Sequence, residues 1–63
     1  MQFRLTITTN NAAFEGCETA EIARILRAAS DRIEAGEVDR IHKSVYDANG
    51  NTVGTYALKE NWS

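Results

Sequence analysis

The pattern that most limits the fold of this chain is a single amphipathic helix flanked by strand-like segments. Five apolar residues fall at offsets of 0, 3, 4, 7 and 11, which places their side chains within about 100° of arc on a helix. They are Ile22, Ile25, Leu26, Ala29 and Ile33. We expect Ile22, Leu26 and Ile33 to be the most buried helix positions, because they lie near the centre of this arc.

Both ends of the predicted helix carry signals in the sequence. Thr19 is suited to the N-cap, and Gly36 can adopt the left-handed conformation that often follows a helix C-cap. The sequence therefore predicts a helix over about residues 20–35. Helical spacing also predicts two ion pairs on its polar side: Arg24 with Glu21, and Arg27 with Asp31.

Three segments have the composition of strands. The first, predicted over about 2–9, has apolar residues at positions 3, 5 and 7 between polar residues at positions 2, 4, 6 and 8, as half-buried strands do. The second and third, over about 41–46 and 52–58, are rich in β-branched and aromatic residues and flank a polar turn. The last two segments therefore predict a β-hairpin.

The turn of this hairpin fits two geometries. Asn49-Gly50 suits a two-residue type I′ turn, which would place Val45 opposite Gly54. The same residues suit a type I turn followed by a left-handed glycine, which would place Val45 opposite Val53. Both alternatives stand at this point, and both require a positive φ at Gly50.

The order strand, helix, strand, strand predicts an α+β fold, βαββ, with one helix packed on a three-stranded antiparallel sheet. A helical crossover makes the first two strands parallel, so placing the third strand between them makes every neighbouring pair antiparallel. No charged residue lies in 52–58, which suits a central strand, whereas His42 and Lys43 suit an edge. The order 1-3-2 is favoured, and 1-2-3 is the alternative.

Length and charge exclude several classes of protein. A chain of 63 residues makes a single domain that buries only about 60% of its unfolded surface. Its net charge of −2 argues against a dedicated nucleic-acid binder, which would carry a basic excess. No apolar run suits a membrane span or a signal peptide, and one cysteine forms no internal disulfide. We expect a cytoplasmic protein.

No set of residues has the spacing of a catalytic or metal site. His42 and Cys17 are the sole histidine and cysteine, whereas zinc sites use three or four protein ligands. No third residue is evident that would orient a Cys–His pair, so Cys17 is interpreted as a small, partly buried residue. The sequence therefore predicts a protein that is not an enzyme and that uses no metal or cofactor.

Two surfaces are candidates for contact with a protein partner. The sheet face that one helix leaves uncovered would present polar and aromatic side chains. Its candidate residues are Arg4, Thr6, Thr8 and Tyr46. The other surface is a cluster of carboxylates at the helix C-terminus, which the helix dipole does not favour. Its residues are Glu34, Glu37 and Asp39. The uncovered face could also pair with its copy in a homodimer.

Four segments in order resemble a group of short open reading frames of bacteriophages, prophages and plasmids. They are 11–15 (NAAFE), 22–27 (IARILR), 31–36 (DRIEAG) and 47–54 (DANGNTVG). The resemblance covers nearly the whole chain, which departs from the group in its longer 41–46 strand and in a tail containing Trp62. It implies an accessory protein of a mobile element, located in the host cytoplasm if phage-encoded. It implies no activity and no functional residue.

These observations lead to one functional hypothesis and two alternatives. Small acidic phage proteins include many inhibitors of host defence, anti-CRISPR proteins among them, and this analogy of size and context suggests a non-catalytic protein-binding module of that kind. A nucleic-acid-associated accessory protein is the first alternative, which the net charge disfavours. A small homodimeric structural protein is the second.

Overall fold

A computed structural model describes residues 1–62 and contains one helix packed on a three-stranded antiparallel sheet. In chain order the elements are β1 (Gln2–Ile7), a 3-10 turn (Ala12–Phe14), α1 (Glu18–Glu34), β2 (Lys43–Tyr46) and β3 (Thr52–Lys59). β3 lies in the centre of the sheet, in the order β1-β3-β2. The predicted α+β fold and the favoured strand order are confirmed.

The N-terminus of α1 differs from the prediction. The helix begins at Glu18, and its N-cap is Cys17, which makes no side-chain capping bond, so the prediction of Thr19 as N-cap is wrong. Cys17 is exposed and not partly buried, and its Sγ donates to the carbonyl of Ala13 at 3.2 Å. Acidic residues in the first turn, among them Glu18, compensate the positive end of the helix dipole without a capping side chain.

The helix α1 ends with Gly36 in the left-handed conformation, as the sequence predicts. Gly36 has a φ of 94°, and its N–H donates to the carbonyl of Ile33 at 2.9 Å. The N–H of Glu37 donates to the carbonyl of Arg32 at 2.9 Å. This pair of bonds is a Schellman motif, which satisfies two carbonyls that the end of the helix leaves without partners.

The core lies between α1 and the hairpin. Its buried apolar residues are Phe14, Ile25, Ala29, Val45, Val53 and Tyr56. Ile25 and Ala29 are the apolar helix residues that point to the centre of this core, whereas Leu26 is 45% exposed. The expectation that Ile22, Leu26 and Ile33 are the most buried helix positions is therefore wrong. Relative to the predicted orientation, the helix is rotated about its axis so that Ile25 and Ala29 face the core.

The hairpin turn has the second of the two predicted geometries. The N–H of Gly50 donates to the carbonyl of Asp47 at 3.0 Å, and Gly50 has a φ of 82°. The N–H of Asp47 donates to the carbonyl of Asn51, also at 3.0 Å. This is a type I turn followed by a left-handed glycine, and the predicted positive φ at Gly50 is confirmed.

The register of the hairpin combines both alternatives. Tyr46 lies opposite Thr52, as the type I turn requires, but Val45 lies opposite Gly54, as the shorter turn would give. The shift arises at a bulge in which Val53 is the extra residue of β3. Because of the bulge, both Val45 and Val53 join the core.

Candidate binding face

The sheet face that points away from α1, here called the outer face, is rich in hydroxyl and basic side chains. The register places Gln2 beside Lys59, Arg4 beside Ala57, and Thr6 beside Thr55. On the other side of β3, Ser44 lies opposite Thr55. The strand residues of this face include no carboxylate.

The tail after β3 folds back onto the outer face. Nε1 of Trp62 donates to the carbonyl of Gln2 at 2.8 Å. The centroid of the indole lies 4.9 Å from Cζ of Arg4 and 4.8 Å from Nζ of Lys59, both within cation–π range. The His42 ring packs edge-on against the indole, with 5.6 Å between centroids. We call Arg4, His42, Lys59 and Trp62 the outer-face cluster.

The outer-face cluster covers the centre of the sheet at this end. Ala57 has 0% exposure although its register with Arg4 places it on the outer face. Arg4 and Lys59 are its neighbours across and along the sheet, and both contact the indole of Trp62. Trp62 therefore lies over Ala57, and the sheet face is not simply open to solvent. Of the cluster, sequence reasoning selected only Arg4.

The other predicted residues of the uncovered face lie nearer the hairpin turn. Thr6 is exposed on β1, and Thr8 is exposed just beyond the end of this strand. Tyr46 is 50% exposed and lies opposite Thr52 at the turn end of β2. The predicted residues therefore extend along the outer face from the cluster towards the turn.

Two of the predicted carboxylates at the helix C-terminus lie near basic side chains. Oε1 of Glu37 lies 3.8 Å from Nε of Arg32, and Oδ2 of Asp39 lies 3.9 Å from Nζ of Lys43. Oδ1 of Asp39 also accepts the N–H of Ile41 at 2.7 Å. Glu34 is exposed at the end of α1. Two of these three carboxylates thus have a cation nearby.

A buried carboxylate on α1 was not anticipated from the sequence. Glu21 is only 7% exposed and accepts hydrogen bonds from Nε and Nη2 of Arg24 at 2.8 and 2.9 Å, which confirms the predicted ion pair. It also accepts the N–H of Ala48 at 2.8 Å. The bond from Arg24 lowers the pKa of Glu21 against the opposing effect of burial. A lowered pKa is the opposite of what a general acid needs.

A second buried carboxylate organises the turn. Asp47 is 4% exposed, and its Oδ1 accepts the N–H groups of Asn49 and Asn51, both at 2.9 Å. Its Oδ2 accepts the side-chain amide of Asn11 at 3.0 Å. Burial acts to raise the pKa of Asp47, but these hydrogen bonds outweigh burial, and the pKa is lowered. Asp47 therefore stabilises the turn through hydrogen bonds to its backbone.

Neither a metal centre nor a membrane segment is found in the described part of the chain. Within residues 1–62, no three histidine, cysteine, aspartate or glutamate side chains are grouped so that they could hold a metal ion. In the same range, α1 lacks the length and apolarity needed to cross a bilayer. No protein-family model, no curated protein and no solved structure matches this chain.

Proposed function

We propose that this chain is a non-catalytic protein-binding module of a mobile element, and that the outer-face cluster binds an acidic segment of its partner. The observation that carries this proposal is the position of Trp62, held on the sheet between Arg4 and Lys59. Tryptophan, tyrosine and arginine are the side chains that contribute most to protein interfaces. Half-exposed Tyr46 extends the same face.

The charge of the outer face favours an acidic partner. Arg4 and Lys59 lie on a face whose strand residues include no carboxylate, although the whole chain has a net charge of −2. The carboxylates of the chain therefore lie outside the strand residues of this face. A carboxylate of the partner could accept hydrogen bonds from the guanidinium and the ammonium group, while the indole supplies apolar contact area.

The same cluster supports a nucleic-acid partner as the second candidate. Aromatic side chains with neighbouring cations on an exposed sheet are typical of proteins that bind single-stranded nucleic acid by stacking. The net charge of −2 argues against this candidate, because a phosphate backbone is attracted by a basic excess. A protein partner is therefore preferred.

The resemblance to reading frames of mobile elements suggests the setting of this activity. A host defence complex, as bound by anti-CRISPR proteins, is a partner that such a module could inhibit stoichiometrically. Inhibition of this kind needs a contact surface and no reactive side chain. Exposed Cys17 is thus not required, and Cys17→Ser is expected to leave partner binding unchanged.

Capture from a host lysate, followed by calorimetry against the captured protein, tests the proposal. Arg4→Glu combined with Lys59→Glu is expected to raise the Kd at least tenfold, because two cations facing the partner become anions. Trp62→Ala is expected to weaken binding as well. The control is Arg27→Glu, a single charge reversal at an exposed position of α1, which should leave the Kd within about twofold.

Two results would contradict the proposal. If the outer-face variants fold and bind as tightly as the wild type, the outer face is not the contact surface. If instead no protein is captured and a single-stranded oligonucleotide is shifted in a salt-sensitive way, the nucleic-acid alternative replaces the proposal.

A further inference from the structure

The two edges of the sheet differ in whether their outward backbone groups are occupied. On β2, Nη1 of Arg32 donates to the carbonyl of Ser44 at 2.7 Å, and Nη2 of Arg24 donates to the carbonyl of Tyr46 at 3.1 Å. Both arginines belong to α1, which packs against this strand. The helix therefore occupies two outward carbonyls of the β2 edge, which hinders pairing of this edge with another strand.

The β1 edge has no such cover. The N–H of Thr8 donates to the carbonyl of Val53 at 2.7 Å, which makes these residues a hydrogen-bonded pair. Because such pairs alternate along an antiparallel ladder, Phe3, Leu5 and Ile7 direct their backbone N–H and C=O groups away from β3. No side chain in residues 1–62 bonds to these outward groups, so this edge is free to pair.

An apolar groove runs between the β1 edge and α1. Phe3 is 42% exposed and Leu26 is 45% exposed, although both are large apolar residues of a small domain. Together with Leu5 and Ile33 they line a groove of about 350 Å³. The helix packs against β2, to which its arginines bond, and the β1 side of the sheet is partly uncovered.

We propose that β1 pairs antiparallel with β1 of a second copy of this chain, so that the two sheets join and the two grooves cover each other. This inference is independent of the proposed function. The backbone groups that point outward belong to Phe3, Leu5 and Ile7. A symmetric pairing that uses them is centred on one residue, which lies opposite the same residue of the second copy. That central residue is Arg4, Leu5 or Thr6.

The side chains select among these three registers. Centring on Arg4 places two guanidinium groups against each other, which is unfavourable. Centring on Thr6 leaves Phe3 without a partner. Centring on Leu5 pairs three residues with residues of the second copy. Phe3 lies opposite Ile7, Leu5 lies opposite Leu5, and Arg4 lies opposite Thr6. The outward backbone groups of Phe3, Leu5 and Ile7 then all pair with the second copy, and each of these apolar side chains lies opposite another apolar side chain.

The area required is available on a molecule of this size. A specific interface takes about 600 Å² or more from each partner, which is about a seventh of the 4304 Å² of accessible surface here. The β1 edge and the adjoining groove form one whole side of this two-layer fold. A domain with so small a core also gains stability when apolar side chains such as Phe3 and Leu26 are covered.

Sedimentation of the full chain from micromolar to millimolar concentration tests the proposal, and charge changes at Thr6 test the register. The expected result is a monomer–dimer equilibrium. Thr6→Glu would face Arg4 of the second copy at two symmetric sites, so it should tighten the dimer about tenfold. Thr6→Arg should weaken the dimer by a similar factor. Combining Thr6→Arg with Arg4→Glu should restore it.

A second pair of variants tests the groove. Leu26→Glu should raise the dimer Kd at least tenfold, since it places a charge in the contact. Ala20→Glu is the matched control, because it adds the same charge at an exposed position in the first turn of α1. Circular dichroism confirms that each variant is folded.

Two outcomes would overturn the proposal. If the wild type stays monomeric at every concentration and Thr6→Glu does not change this, a second copy is not the occupant of the edge; an extended strand of another protein would then be the alternative. If a dimer forms but its Kd is the same in the Thr6 and Leu26 variants as in the wild type, the dimer uses another interface.

Discussion

The backbone N–H of Ala48 donates to Oε2 of Glu21 at 2.8 Å, and this bond joins residues 27 positions apart. It ties the tip of the β2–β3 hairpin to the first turn of α1. Arg24 holds the same carboxylate through two nitrogens and reaches the carbonyl of Tyr46 as well. The contact between helix and hairpin at this end therefore depends on an ionised Glu21.

Acid is expected to destabilise the fold through Glu21 and Asp47. Both carboxyl groups have a pKa below their ordinary values of 4.5 and 3.8, so the folded state favours their ionised forms. Their stabilising contribution is complete above these values and is lost as the pH falls towards the lower pKa values of the folded state. Urea denaturation should therefore give a smaller free energy of unfolding at about pH 3 than at neutral pH.

The variant Glu21→Gln isolates one of these groups. It should lower the free energy of unfolding at neutral pH, because the charge-assisted bonds from Arg24 are weakened. The loss of stability on acidification should also become smaller. An acid dependence identical to that of the wild type would show that Glu21 does not contribute to it. Glu15→Gln, at an exposed position, is the control.

Truncation of two adjacent helix residues should lower the free energy of unfolding by different amounts. Ile25 is 2% exposed, so Ile25→Ala is expected to cost about 2–5 kcal/mol through lost burial and a cavity. Leu26 is half-exposed in the monomer, so Leu26→Ala should cost about 1 kcal/mol or less. Denaturation at low protein concentration, where the monomer prevails, measures both. Equal costs would mean that the helix is not rotated as described.

The fold could be predicted because its signals are local. Helical periodicity, the glycine after the helix and the turn residues each act over a few positions, and together they limited the strand order to two choices. The rotation of α1 could not be predicted in this way. It accompanies packing of Ile25 and Ala29 against the hairpin and bonds from α1 to carbonyls of β2, and both are contacts between residues distant in sequence.

The candidate binding face could be predicted only in part. Alternation along β1 placed Arg4 and Thr6 on the uncovered face, and the register agrees with this. Trp62 lies 60 residues from Gln2, whose carbonyl it binds, and no local pattern connects these positions. The signal available in the sequence was a single tryptophan following a strand whose face carries cations.

The contacts of His42 predict which of its ring nitrogens carries the proton. Nζ of Lys59 lies 2.9 Å from Nε2, and an ammonium group can only donate, so Nε2 must accept. We therefore expect the proton on Nδ1, which lies 3.3 Å from Oγ1 of Thr55. Nitrogen-15 NMR should show a protonated Nδ1 in the neutral ring. Lys59→Met should reduce this preference, whereas a dominant Nε2–H form in the wild type would contradict the contact.

Gly54 is required by the close approach of β1 to the centre of the sheet. A Cβ built at this position would collide with the backbone carbonyl of Thr6, and backbone cannot rotate away as a side chain can. Gly54→Ala should therefore cost about 1–3 kcal/mol, as overpacking does, and should loosen the β1–β3 ladder. Thr55→Ala is the neighbouring control and should cost less. Denaturation gives the energies, and amide exchange in β1 should rise only in the glycine variant.

Removing the cover of the β2 edge should promote association beyond a dimer. Arg32→Met frees the carbonyl of Ser44 for pairing, and it leaves the buried pair of Glu21 and Arg24 intact. With β1 engaged between two copies, each dimer would expose two β2 edges on which the Ser44 carbonyl is free, and pairing between them can continue without closure. Light scattering should then grow with time and concentration. Arg27→Met removes an exposed arginine that does not contact β2, and it should behave as the wild type; equal behaviour of both variants would mean that Arg32 does not protect this edge.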